Sequence, residues 1–193
     1  MILQEKLIHN VWNKLIRRDF IPKYEFNSLP SITMGEDFVI NTLLAIKKPK
    51  YELLDECLYF YYKRPNSIMN EVNEKYLQIE NTIDSMEKLL RQNNIYDDYK
   101  DEIECLWFWH CYMMGVIFST NKLNSINKSL YILWKNKNID LKNNCVFKSR
   151  MSKHVIYYNI MKWIFDKNYL LGEALINMKV KLINFIVKGI YKR

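Results

Sequence analysis

The sequence predicts an α+β fold that is mostly α, with two short strands in its first third and a helical bundle after them. Three observations predict it. All four prolines lie within the first 65 residues, short runs rich in Tyr and Phe follow residue 50, and apolar residues recur at helical spacing after Asn70. Because proline ends or kinks helices, the chain divides into an irregular first third and a helix-permissive remainder.

The first third is predicted to alternate helix, loop and strand. Acids in the first turn of its second helix are favoured there by the helix dipole. Two short aromatic runs, KYELL and CLYFYYK, are typical of strands and are separated by Asp55 and Glu56. In chain order we expect a helix at 7–18, a loop at 24–34, a helix at 37–47 and strands at 50–54 and 57–63.

The remainder of the chain is predicted to be helical almost throughout. Its apolar residues recur at the helical period, and short turns rich in Asn and Lys separate the helical segments. The expected helices cover 71–92, 98–118, 122–136, 150–166 and 170–191.

Composition limits the class of protein. The 193 residues are 49% hydrophobic and 15% aromatic, which is enough for a buried core and excludes a disordered chain. No apolar run is long enough to predict a membrane-spanning helix, and the N-terminus does not read as a signal peptide. We expect a cytoplasmic protein, and a peripheral position on the inner face of the membrane stays open.

Charge is distributed unevenly along the chain. Residues 1–121 hold 14 Lys and Arg against 18 Asp and Glu, a net charge of −4, whereas residues 122–193 hold 15 against three, a net charge of +12. This asymmetry predicts a basic C-terminal surface that meets a phosphate-rich partner. No pattern resembles a helix-turn-helix or a zinc finger, so an anionic membrane is favoured over nucleic acid.

The last predicted helix has a narrow polar stripe and a wide apolar face. Two interpretations stay open: the helix packs on the preceding helices, or it lies on anionic lipid. The polar stripe consists of Asn177, Lys181, Asn184, Lys188 and Lys192, and the apolar face of Leu171, Leu175, Met178, Leu182, Phe185 and Ile186.

Three short motifs follow one another between residues 7 and 70. They are Trp12-Asn13-Lys14-Leu15 with Arg17-Arg18, then Gly35-Glu36-Asp37-Phe38, then Tyr59-Phe60-Tyr61 with Arg64 and Asn66-Ser67-Ile68. In this order and spacing they resemble the second half of the catalytic domain of family 2 glycosyltransferases, which build bacterial surface polysaccharides from nucleotide-sugars. The resemblance implies a partial GT-A fold: an incomplete acceptor-side half at residues 1–70 and a helical C-terminal region at 71–193.

The resemblance also implies roles for individual residues. Asp37 takes the position of the catalytic base, which removes the proton from an acceptor hydroxyl as that hydroxyl attacks the anomeric carbon. Glu36 is a helix-start acid that orients the site. Lys14, Arg64 and Ser67 are further candidates on the acceptor or donor side, with Arg64 offering positive charge to a departing diphosphate.

The donor-binding half of such an enzyme has no counterpart in the sequence. There is no D-x-D motif for a divalent metal and no glycine-rich phosphate loop. We therefore expect a glycosyltransferase-like protein of the hexosyltransferase type that is inactive alone, holds no metal, and uses Mn²⁺ or Mg²⁺ only when a separate nucleotide-sugar-binding half is supplied. Its acceptor would be a glycan or a lipid-linked sugar. The alternative is a non-catalytic helical protein that binds a membrane surface or a partner protein through its basic C-terminus.

Overall fold

The structure, a computed structural model, describes residues 10–21, 32–60, 62, 74–119, 121–151 and 155–190. All regular secondary structure in these residues is helical. The helices are α1 (Glu36–Ile46), α2 (Ile79–Gln92), α3 (Tyr96–Trp107), a π-helical segment (Phe108–Ile117), α4 (Ser125–Lys137), α5 (Cys145–Met151), α6 (Val155–Lys167) and α7 (Tyr169–Ile190). Short 3₁₀ turns occupy Arg18–Phe20, Glu74–Gln78 and Leu141–Asn143.

The predicted α+β class is wrong, because the two predicted strands do not form. Residues 50–60 have no regular secondary structure, and their side chains are exposed. A strand needs a neighbour to pair its backbone N–H and C=O groups, and the described part of the chain offers none. Tyr61 and Lys63, at the end of the second predicted strand, lie outside the described residues.

The helix predicted at 7–18 is also absent from its described part. Residues 10–17 form a turn, in which the backbone N–H of Lys14 donates to the carbonyl of Val11 at 3.1 Å, and then a segment without regular secondary structure. Most helical stability in proteins comes from packing an apolar face, and this segment has no buried side chain: Leu15 is 96% exposed.

The chain divides into two compact units, Met1–Ile103 and Glu104–Arg193. In the first unit, α1 packs against α2 through apolar side chains on the facing sides of the two helices. The prediction of a helix at 37–47 is confirmed to within one residue at each end. The domain boundary at residue 70 stays a prediction. The buried apolar residues of the pair are Val39, Leu43 and Leu44 on α1 and Ile79, Ile83, Met86 and Leu90 on α2.

The second unit has an aromatic core centred on the π-helical segment, which packs against α4. Phe108 is fully buried, and its ring meets those of Tyr112, Trp134, Phe147 and Tyr158 at centroid distances of 5.0 to 5.8 Å. Edge-on contacts of this kind add to the free energy gained from burial.

Helices α6 and α7 form a hairpin joined by the single residue Asn168, whose side-chain oxygen accepts from the backbone N–H of Leu171 at 3.2 Å. A Cβ on Gly172 would lie 2.7 Å from ring atoms of Phe165, so glycine permits the close approach of the two helices. No helix within the described ranges is both long and apolar enough to cross a bilayer.

Candidate functional site

The start of α1 carries the two adjacent acids. Gly35 precedes the helix with φ of +82°, in the left-handed region that favours glycine. Glu36 and Asp37 occupy the first turn, as predicted, where the helix dipole stabilises negative charge. The side chain of Glu36 is exposed and that of Asp37 is half-buried, so their surroundings differ.

The position of this helix start is fixed by α2. The hydroxyl of Thr82, which is fully buried, donates to the backbone carbonyl of Met34 at 2.7 Å. A Cβ on Gly35 would lie 2.9 Å from the methyl carbon of Thr82, so the backbone is held against α2 at a distance that only glycine permits. The two acids therefore lie at a helix start that is packed and hydrogen-bonded against α2.

The Trp12-Asn13-Lys14-Leu15 motif lies beside Asp37. The backbone N–H of Val11 donates to Oδ2 of Asp37 at 3.4 Å, across 26 residues of sequence. Lys14 is half-buried and its ammonium group donates to the carbonyl of Asn10. Burial lowers the pKa of Lys14, and attraction to the Asp37 carboxylate opposes that shift. The structure therefore brings Lys14 and Asp37 into one electrostatic environment.

The third motif also reaches this site. The ring of Tyr59 stacks on the indole of Trp12, with centroids 4.6 Å apart and planes at 28°. The start of the Tyr59-Phe60-Tyr61 motif therefore contacts the first motif although 47 residues separate the two rings in sequence. Arg64 and Ser67 lie outside the described residues, as does Tyr61.

The arrangement can support proton transfer at Asp37. A carboxylate has two oxygen atoms, and the contact with Val11 engages one of them. Because the side chain is half-buried on a fixed helix start, it combines access from solvent with a defined position. Among the described residues, no group of three His, Cys, Asp or Glu side chains is placed to hold a metal ion.

Two contributions to the site were not predicted. The backbone N–H of Val11 and the hydroxyl of Thr82 hold Asp37 and its helix start, and neither belongs to a recognisable motif. Every residue except proline has a backbone N–H, so the sequence does not indicate which backbone donor contacts Asp37. Val11 therefore could not be predicted. Arg17, a member of the first motif, forms an exposed ion pair with Asp19.

Comparison of the chain with family models, with curated proteins and with solved structures finds no match.

Proposed function

We propose that this chain is a glycosyltransferase-like protein that takes part in transferring a sugar from a nucleotide-sugar to a glycan or lipid-linked acceptor. The observation that carries the proposal is the contact of Asp37 with the backbone of Val11, beside the Trp12 motif. A helix-start acid with only a capping role needs no partner 26 residues upstream. The contact of Tyr59 with Trp12 adds the start of the third motif, and this proximity of the described parts of the motifs to one carboxylate supports the proposal.

In this proposal Asp37 acts as the general base. It removes the proton from an acceptor hydroxyl while the hydroxyl oxygen attacks the anomeric carbon, and the bond from that carbon to the diphosphate oxygen breaks. The half-buried position of Asp37 supports this role over Glu36, whose side chain is exposed. Lys14 supplies positive charge beside the base, and its contact with the Asn10 carbonyl gives the ammonium group a defined position.

The exposed apolar side chains of residues 51–60 support the need for a donor-binding half. Leu53, Leu54 and Leu58 are 64% to 69% exposed, and Phe60 is 93% exposed. Clustered apolar exposure of this kind marks an interaction surface. We propose that a nucleotide-sugar-binding half, on a longer form of this chain or on a separate one, covers the segment and brings the divalent metal.

A matched pair of variants tests the role of Asp37. The chain is combined with a donor-binding half of a family 2 glycosyltransferase, and release of nucleoside diphosphate from UDP- and GDP-sugars is measured with Mn²⁺. Asp37→Asn keeps the shape and removes the basicity, so turnover should fall about 100-fold or more. Glu36→Gln removes the neighbouring charge from the same turn and should change turnover little. Equal activity of Asp37→Asn and the parent chain would show that Asp37 is not the general base.

The isolated chain should bind nucleotide-sugars weakly or not at all, because the phosphate-binding and metal-binding residues belong to the other half. Calorimetric titration with UDP- and GDP-sugars plus Mn²⁺ measures this directly. Micromolar affinity would contradict the division into halves while leaving the Asp37 test intact.

A further inference from the structure

Helix α7 carries apolar side chains on two opposite faces. One face packs into the second unit through Gly172, Ile176 and Val180, which are buried. The other face repeats at i, i+4, i+7, i+11 and i+14, so its members lie in one stripe along the helix. These residues are 38% to 78% exposed: Leu171, Leu175, Met178, Leu182 and Phe185.

Helix α6 repeats the same arrangement. Tyr158, Met161 and Phe165 are buried on one side. Ile156, Ile160 and Trp163 follow at i, i+4 and i+7 on the opposite side and are 53% to 78% exposed. An amphipathic helix normally places polar residues on its solvent side, so the apolar composition of this side is unexpected for a helix that faces only water.

The two exposed stripes belong to one surface. Helices α6 and α7 lie side by side in the hairpin, and both turn their buried faces toward the core of the second unit. Their opposite faces therefore point away from that core together. We call this surface the outer face; it consists of Ile156, Ile160, Trp163, Leu171, Leu175, Met178, Leu182 and Phe185.

Helix α7 also continues past Val180, the last buried residue among its described side chains. All seven side chains from 181 to 187 are exposed, and five of them are apolar. This end of the helix has no cover from the described part of the second unit. The outer face therefore continues for about two turns beyond the part of α7 that packs on the second unit.

Cationic side chains border the outer face. Lys179 and Lys181 lie on either side of the α7 stripe, and the ammonium group of Lys179 donates to the carbonyl of Ile117 at 3.3 Å. Residues 155–190 contain only two acids, and one of them, Asp166, is already paired with Lys135 and Lys162. The border of the outer face therefore presents net positive charge.

We propose that the outer face docks on a bilayer that contains anionic lipid, with α6 and α7 lying in the plane of the interface. Apolar side chains enter the headgroup boundary while the exposed Lys181 meets lipid phosphates. The exposed Trp163 suits this depth because indole is apolar with one polar group. A second copy of the chain would bring two basic regions of +12 together, so charge disfavours self-association. The proposal is independent of Asp37 and of the proposed function.

Co-sedimentation with vesicles tests the docking. The full chain should bind vesicles of phosphatidylcholine with phosphatidylglycerol at low salt, and bind vesicles of phosphatidylcholine alone much more weakly. Binding should weaken at 1 M salt, where screening shortens to about 3 Å. Failure to bind the anionic vesicles at low salt would overturn the proposal.

Two variants on opposite sides of the exposed end of α7 separate insertion from simple charge attraction. Leu182→Glu and Asn184→Glu each add one negative charge at an exposed position, so both should fold. Asn184 lies on the polar stripe, and its variant should lose about fivefold in affinity from charge alone. Leu182→Glu also loses apolar burial and should lose about fiftyfold.

Equal losses for the two variants would show that the apolar stripe does not enter the lipid, and would overturn the proposal. Sedimentation without vesicles adds a second check. A parent chain that self-associates, and becomes monomeric with Leu182→Glu, would assign the outer face to a second copy instead.

Discussion

Phe60 and Phe108 are the same residue in two opposite situations. Phe60 is 93% exposed in the irregular segment of the first unit, and Phe108 is fully buried among four aromatic rings in the second. Residues 51–60 contain three aromatic side chains, as does the π-helical segment Phe108–Ile117, but they also carry three acids where that segment carries none. Aromatic composition is therefore not enough to bury a side chain, because burial also needs a neighbouring element that packs over it.

The largest expected effect comes from truncating the two phenylalanines in parallel. Phe108→Ala leaves a cavity in a packed aromatic core and should lower the free energy of unfolding by about 3–5 kcal/mol. Phe60→Ala removes the same atoms from an exposed position and should change it by less than about 0.5 kcal/mol. Urea denaturation followed by circular dichroism measures both. A large loss of unfolding free energy for Phe60→Ala would contradict the exposed position of Phe60, because it would mean that residues 51–60 are covered in solution.

Two tyrosines in the aromatic core of the second unit differ in whether their hydroxyl groups are hydrogen-bonded. The hydroxyl of Tyr112 is buried without a hydrogen-bond partner among the described residues, whereas that of Tyr131 donates to the carbonyl of Phe165 at 3.1 Å. Tyr112→Phe should therefore stabilise the protein by about 1 kcal/mol, and Tyr131→Phe should destabilise it by about as much. Thermal unfolding at neutral pH measures both variants. A loss in Tyr112→Phe would mean that its hydroxyl is bonded.

The same tyrosine predicts a dependence on alkaline pH. Burial raises the pKa of Tyr112 above its ordinary value of about 10, and neighbouring Tyr158, Asp166 and Tyr131 add to the shift. Stability from this group is complete below pH 10 and is lost as pH rises toward the folded-state pKa, by up to about 1.4 kcal/mol per pH unit. Tyr112→Phe should flatten the fall in stability above pH 10. An unchanged slope would contradict the burial of this hydroxyl.

In the first unit, Thr82→Val tests what holds the acidic helix start. Valine keeps the shape and removes the hydroxyl that donates to Met34, so the free energy of unfolding should fall by about 0.5–1.5 kcal/mol. Ser129→Ala, which removes an exposed hydroxyl bonded within its own helix, is the control and should cost less. Equal costs would mean that the Thr82 contact adds nothing to the position of Asp37.

The smallest expected effect concerns Asp166. Burial raises the pKa of this carboxyl, but hydrogen bonds and attraction from Lys162 and Lys135 outweigh burial, so its pKa lies below the ordinary value. The stabilisation is present above about pH 4 and is lost as pH falls through the folded-state pKa. The pair is partly exposed, so Asp166→Asn should cost less than about 1 kcal/mol at pH 7, and the difference from the parent should shrink below pH 4. A difference that grows in acid would contradict the ion pairs.

Much of the helical part of the fold was predictable from sequence. The helical period and the acids of the first turn located α1, and similar spacing located α4 and α7 to within three residues. Helices α2 and α6 end within one residue of the predicted ends but begin eight and five residues later than predicted, and α5 was not predicted. The two strands were predicted wrongly. Aromatic side chains suit a β-sheet, but a strand forms only when a partner strand is present, and composition does not show whether there is one. The π-helical form of residues 108–117 was equally hidden, since its apolar pattern is compatible with an ordinary helix.

The site was predictable only through its motifs. Asp37 and Lys14 were named from sequence, and the structure brings them together. The contacts that hold them come from a backbone donor at Val11 and from Thr82, 45 residues after Asp37. Such long-range contacts depend on how α1 packs on α2, and local patterns do not encode that packing.

The position of the α6–α7 hairpin in the chain has a consequence for synthesis on the ribosome. Phe108 and Tyr112 emerge first, but the rings of Tyr158 and Phe165 that cover them lie about 50 residues later. At about 5–20 residues per second, the π-helical segment lacks the cover of these two rings for several seconds. The hairpin itself closes quickly once made, because one residue joins its helices and the contact of Gly172 with Phe165 is local. The second unit can therefore complete its core only when translation of the hairpin has finished, and its nascent form is the stage at which a chaperone would find the most apolar surface.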